Sequence, residues 1–98
     1  YIPSLDNEFN AGFVAAFSEK FGRKPEKIEL LGFESTWIAA KAMDAAGTAD
    51  DTDQIAEAIR SGTWETPRGP VTFDENGQAS SGELIRLVVK SGEIVVYE

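Results

Sequence analysis

Phe9, Phe13, Phe17 and Phe21 recur every four residues, with Val14 and Ala16 beside them. That is an apolar stripe along a helix of period 3.6, and it reads as core. Ser4, Asp6 and Asn7 are candidate N-caps, and Glu8 suits the positive end of the helix dipole. Gly22 and then Pro25 stop the helix. Gly12 inside it costs roughly 1 kcal/mol relative to alanine. Its presence predicts a close approach by another backbone. A second helix is expected from Pro25 to Ala46, with proline in its first turn. Its half from Trp37 to Met43 is apolar on most sides. The stretch from Ile28 to Phe33 fits a short buried strand as well, because periodicity does not separate the two. Gly47 ends this helix. Asp50, Asp51 and Thr52 offer caps for a third, short one, with Ile55, Ala56 and Ile59 on its buried side and Gly62 as its stop.

The last third changes period. Val71 and Phe73 alternate, Glu83 to Val89 is β-branched and apolar, and Glu93 to Tyr97 repeats that character. Asp74-Glu75-Asn76-Gly77 and Ser91-Gly92 read as turns between strands. The order is three helices, then short strands and a hairpin, an α/β arrangement without repeats.

Composition narrows the chemistry. The 98 residues allow one domain or less. Nine basic against 17 acidic side chains give a net charge of −8, which argues against a nucleic-acid backbone or an anionic membrane as partner. With neither cysteine nor histidine, disulfides, thiolate or imidazole metal sites and His- or Cys-based nucleophiles are excluded. No apolar run reaches the roughly 20 residues that a bilayer helix needs. The chain opens Tyr1-Ile2-Pro3, without an initiator methionine, and is expected to be a processed chain or a piece of a longer one.

Candidate sites are few. Asp74 to Gly77 begins like a calcium loop, but the twelfth position from Asp74 is Ile85, so the turn is preferred. Asp50 and Asp51 read as caps. Gly69 and Gly77 lack the surroundings of a phosphate loop. Glu34 and Asp44 have the chemistry of general acids, yet no partner stands at a fitting spacing, and solvated helix residues are the expectation. Trp64, after a helix stop and before Thr66-Pro67, reads as a plug at the core edge, with a partner-facing aromatic as the alternative. No cofactor, metal or catalytic residue is expected.

Four stretches in order carry a family resemblance. They are Asn10 to Pro25, with its Phe-Gly-x-x-Pro ending; Gly32-Phe33-Glu34-Ser35; Ile55 to Ile59; and Thr66 to Gly77, with Gly-x-x-x-Phe-Asp-x-x-Gly. Together they resemble the C-terminal part of type I periplasmic substrate-binding proteins. The nearest subgroup is the Leu/Ile/Val (branched-chain amino-acid) binding family of ABC importers. The resemblance implies two α/β lobes joined by three crossovers, with an amino acid or similar small molecule bound between them. Residues 1–82 would belong to the N-terminal lobe, and 83–98 would form the last crossover and strands of the second. The ligand-facing positions that match are Phe33 and Glu34, where the family usually reads Tyr-Asp. Phe33 keeps the ring and lacks the hydroxyl donor.

The implied function is therefore non-covalent ligand binding for ABC transporter membrane subunits, not catalysis. The implied location is periplasmic or extracellular, as a free protein or a cell-surface lipoprotein. A sensor or regulatory ligand-binding domain of the same fold and a stand-alone α/β interaction module remain as alternatives. The apolar helix faces exceed the sheet that the chain supplies, so the isolated chain is expected to form a homodimer or a swapped assembly.

Overall fold

A computed structural model describes residues 1–81 and 84–98. Three helices precede five short strands: α1 (Glu8–Phe21), α2 (Lys27–Ala46), α3 (Thr52–Ser61), β1 (Trp64–Thr66), β2 (Gly69–Phe73), β3 (Ala79–Ser80), β4 (Leu87–Lys90) and β5 (Glu93–Val96). The helix-then-strand order matches the sequence pattern.

Local chemistry sets the helix ends. Asn7 caps α1 by accepting from the Asn10 amide at 2.7 Å. Gly22 closes α1 in the left-handed region. At α2 the expected proline start is corrected. Pro25 is buried just ahead of the helix, and Glu26 is the N-cap. Glu29 returns a carboxylate oxygen to the Glu26 amide at 2.9 Å, completing a capping box. The box holds the following residues in a helix, so Ile28 to Phe33 is helical and not a strand. Asp51 caps α3 through the Gln54 amide.

The α2 residues Leu30, Glu34, Ile38 and Ala42 lie four apart and are all buried. This helix packs on α3, and β1 and β2 lean on the pair. With Ile2, Phe13 and Val71, the apolar Leu30, Ile38 and Ala42 make the core. The phenylalanine stripe is only partly core: Phe13 is buried, Phe9 and Phe17 are half-buried, and Phe21 is 58% exposed. A Cβ built on Gly12 would meet no atom within 4 Å, so the expected close approach is absent among the described residues.

Strands β1, β2 and β3 form an antiparallel sheet in that order. β1 escaped the sequence reading, because Trp64-Glu65-Thr66 is too short to show a period. The strand expected over 83–89 begins only at Leu87; 84–86 is irregular, and Glu83 lies outside the described residues. β4 and β5 pair with each other through the Ser91-Gly92 turn. Both turn residues have positive φ, 51° and 81°, as a two-residue hairpin of matching twist requires. The Asp74 carboxylate accepts from the Asn76 and Gln78 amides, which makes Asp74 to Gly77 a turn between β2 and β3.

Candidate ligand-binding site

Phe33 projects from α2 toward α1. Its ring centroid lies 4.8 Å from that of Phe13, 6.1 Å from Phe9 and 5.9 Å from Trp37, stacked on the last at 16°. Phe9 meets Trp37 edge-on at 5.3 Å. These separations are those of favourable aromatic pairs, each worth about 0.5–1.5 kcal/mol beyond area burial. One side of the cluster stays open. A groove of about 510 Å³ runs along α1 and is lined by Phe9, Gly12, Phe13, Ala16, Phe17 and Phe33, with Glu8 and Lys20 at its rim. The missing side chain of Gly12 widens this groove. Trp37 Nε1 already donates to the Glu65 carbonyl at 3.1 Å. The ring wall therefore offers π faces and edges to a molecule that meets it, and no free donor.

Glu34 is next to Phe33 in sequence but turns the other way. It is 5% exposed, not a solvated helix residue as its spacing suggested. Both carboxylate oxygens accept from Arg68: Nε to Oε2 and Nη2 to Oε1, each at 2.7 Å. The bidentate fork offsets the desolvation of a buried carboxylate. The hydrogen bonds that Arg68 donates to Glu34 are also the main reason that its guanidinium is held above its ordinary pKa. The structure thus separates the two site residues expected from the sequence. Phe33 reaches an open groove, and Glu34 is buried against Arg68.

The tertiary polar contacts of this region were not legible beforehand. Asn10, 1% exposed, donates to the carbonyls of Pro3 and Leu5 at 3.0 and 2.9 Å and accepts from the Tyr1 hydroxyl at 2.7 Å. Burial pushes the Tyr1 phenol up to about 12. Asn7 donates through Nδ2 to the Pro67 carbonyl at 2.9 Å, next to Arg68. A polar residue inside the Phe9–Phe13 stripe was the one available signal for Asn10. Arg68 carried none, since 34 residues separate it from Glu34.

Trp64 settles as a plug. It is half-buried, and its Nε1 donates to the Ile59 carbonyl at 3.1 Å. Among the described residues no group of His, Cys, Asp and Glu could hold a metal, and no helix is long and apolar enough to cross a membrane.

Similarity to known proteins covers nearly the whole chain. The family model for periplasmic binding proteins matches residues 1–92. The Leu-, Ile-, Val-, Thr- and Ala-binding protein of Pseudomonas aeruginosa is 33% identical over 90 residues, which are 91% of this chain and 21% of that protein. A crystal structure of a leucine-binding protein from Thermotoga maritima superposes with a TM-score of 0.74 at 25% identity, covering 100% of this chain and 28% of the other. A solute-binding protein of an ABC transporter from Rhodopseudomonas palustris, in complex with benzoate, gives 0.81 at 20% identity, covering 98% and 27%. The chain spans about a quarter of the length of such relatives. Sequence match, fold and helix-then-strand order agree, and the chain belongs to the periplasmic binding protein family.

Proposed function

We propose that this chain is part of the substrate-binding component of an ABC importer. It binds a small organic molecule without catalysing a reaction on it. The family match over residues 1–92 carries this reading, since the family consists of binding proteins. Residues 1–82 belong to one lobe, 83–98 cross to the other, and the ligand lies between them and is enclosed by hinge closure. The holoprotein works in the periplasm and delivers its ligand to the membrane subunits of the transporter.

Phe33 supplies an apolar wall to the ligand. The surrounding rings of Phe9, Phe13 and Trp37 support an apolar or aromatic ligand body at this end. A branched-chain amino acid and an aromatic carboxylate both answer that description, and a leucine-binding protein and a benzoate complex are both among the proteins of similar fold. Calorimetric titration of the polypeptide that carries this chain, with leucine and with benzoate in turn, tests the proposal. Saturable binding of either supports it. Heat of dilution alone with both, from a folded sample, contradicts it.

A further inference from the structure

The chain has three asparagines, Asn7, Asn10 and Asn76, and the fold treats them differently. The Asn7 carboxamide accepts from the Asn10 amide at 2.7 Å and donates to the Pro67 carbonyl at 2.9 Å. That of Asn10 is buried and bonded at both ends, to Tyr1, Pro3 and Leu5. Asn76 sits in the exposed turn between β2 and β3. Among the described residues its carboxamide makes no hydrogen bond; only its backbone amide does, to Asp74 Oδ1 at 2.9 Å. The residues that follow differ too. Glu8 and Ala11 carry a Cβ beside the backbone nitrogen, whereas Gly77 follows Asn76, and a Cβ built on Gly77 would meet no atom within 4 Å.

We propose that Asn76 is a site of spontaneous covalent modification, converted to aspartate and isoaspartate through a succinimide closed by the Gly77 nitrogen, and that the Asp74 carboxylate restrains the reaction. The Gly77 amide gives its proton to water or hydroxide, and the nitrogen bonds to Asn76 Cγ. The Cγ–Nδ2 bond breaks, and the side-chain nitrogen leaves as ammonia with a proton from water. Water then opens the five-membered imide at either carbonyl. Opening at the former side-chain carbonyl leaves aspartate. Opening at the backbone carbonyl leaves isoaspartate, with the chain running through Cγ. The net change is one water taken up and one ammonia released, so no oxidant or cofactor takes part.

The turn itself supplies the restraint. The Gly77 amide donates to the Asp74 carbonyl at 3.0 Å, so its nitrogen is engaged while the turn is closed. Asp74 keeps it closed by accepting from the Asn76 and Gln78 amides at 2.9 and 2.8 Å. An exposed turn opens locally far more often than the whole fold unfolds, and the open form reacts. The product acts back on the fold. Isoaspartate adds a methylene to the main chain and a charge beside Asp74 and Glu75. β2 and β3 pair only through Thr72 with Ser80 and Phe73 with Ala79, next to this turn, so the lengthened turn loosens that pairing.

Peptide mass spectrometry tests this after the polypeptide that carries this chain is incubated in warm, mildly alkaline buffer. The peptide with Asn76 is expected to gain about 1 Da, the exchange of NH2 for OH, and to split into two chromatographic species. Peptides with Asn7 and Asn10 are expected to stay unchanged, and Asn76→Gln to abolish the gain. Asp74→Ala, shown to be folded by circular dichroism, is expected to convert about fivefold faster than the parent, having lost two hydrogen bonds that close the turn. If Asp74→Ala does not fold, Asp74→Ser, which keeps one hydroxyl acceptor, replaces it and is expected to convert at a rate between those of the native parent and the parent in urea. Conversion in urea but none in the native parent, or none in either, overturns the proposal, as does equal conversion at all three asparagines. A folded Asp74 variant that converts no faster than the parent overturns the role of Asp74. Ligand binding enters none of these measurements, so their outcome is independent of the proposed transport function.

Discussion

At the scale of single residues, neighbours in sequence have opposite fates. Phe33 and Glu34 differ by about 100° around α2, enough to send a ring to an open groove and a carboxylate into the body. The ring has a direct consequence. Burying an aromatic side chain against a ligand is worth about 1.5–3 kcal/mol, so Phe33→Ala should weaken ligand binding roughly 10- to 100-fold in calorimetry. It also removes three aromatic pairs and lowers the melting temperature, so binding is compared at a temperature where circular dichroism shows both proteins folded. An unchanged dissociation constant would remove Phe33 from the site. Gly62 is constrained by a different ring. A Cβ there would stand 2.5 Å from Trp64 Cζ2, and Trp64 is tethered by its bond to Ile59. Gly62→Ala is expected to cost about 1–3 kcal/mol in denaturant unfolding, the range for forced overpacking. The Tyr1 phenol gives a pH signature. Its native pKa of about 12 lies above the usual 10, so the folded state favours the protonated form. That contribution is complete below pH 10 and is lost as pH rises from 10 toward 12. Stability of the parent should fall over that window more steeply than that of Tyr1→Phe, followed by fluorescence-detected unfolding.

At the scale of elements, caps and turns decide where each piece begins, and side chains far away in sequence decide what it touches. The capping box of α2 includes a charge that reports on it. Glu29 is held below the usual carboxylate range, first by the hydrogen bond from Arg23 at 2.6 Å and then by the Glu26 amide. A depressed carboxyl stabilises the fold above its unfolded pKa, near 4.5, and the contribution disappears as pH falls through the lower native value. Acid unfolding monitored by circular dichroism should therefore set in at higher pH for Arg23→Ala than for the parent. Equal midpoints would show that the pair is screened out by solvent.

The strands show where the sequence stops being informative at this scale. The type of each long helix was readable from period and stop residues. A three-residue strand such as β1 exists because Trp64, Glu65 and Thr66 find Val71, Pro70 and Gly69 opposite, a pairing that local propensity does not encode. The Thr66 hydroxyl, buried and donating to the Gly69 carbonyl at 2.8 Å, tightens that turn and presents Arg68 to α2.

At the scale of the whole molecule, the chain carries more apolar surface than it covers. The hairpin leaves Leu87, Val89, Ile94 and Val96 exposed, and Phe21, Ile28 and Leu31 are exposed on the helices. Unpaired strand edges lie beside them, and such surfaces drive association. The 98 residues taken alone are expected to self-associate, as a dimer or larger, in size exclusion coupled to light scattering. A stable 10.6 kDa monomer with a cooperative melt would show that this stretch is a complete domain.

What the sequence by itself determined is the set of quantities that local physics encodes. The fourfold spacing of phenylalanines, the glycine stops, the Asp and Asn caps and the Ser91-Gly92 turn specified three helices followed by strands, and four motifs in order pointed to the family. Tertiary structure decided which of those residues are buried and with whom. Glu34 looked like a solvated acid because a sequence shows no partner across 34 residues; the β1–β2 turn brings Arg68 to it and makes it the most enclosed charge described. Gly12 looked like a crossing point, and the space beside it is open. Loop closure and packing between distant segments set these outcomes, and neither depends on local spacing.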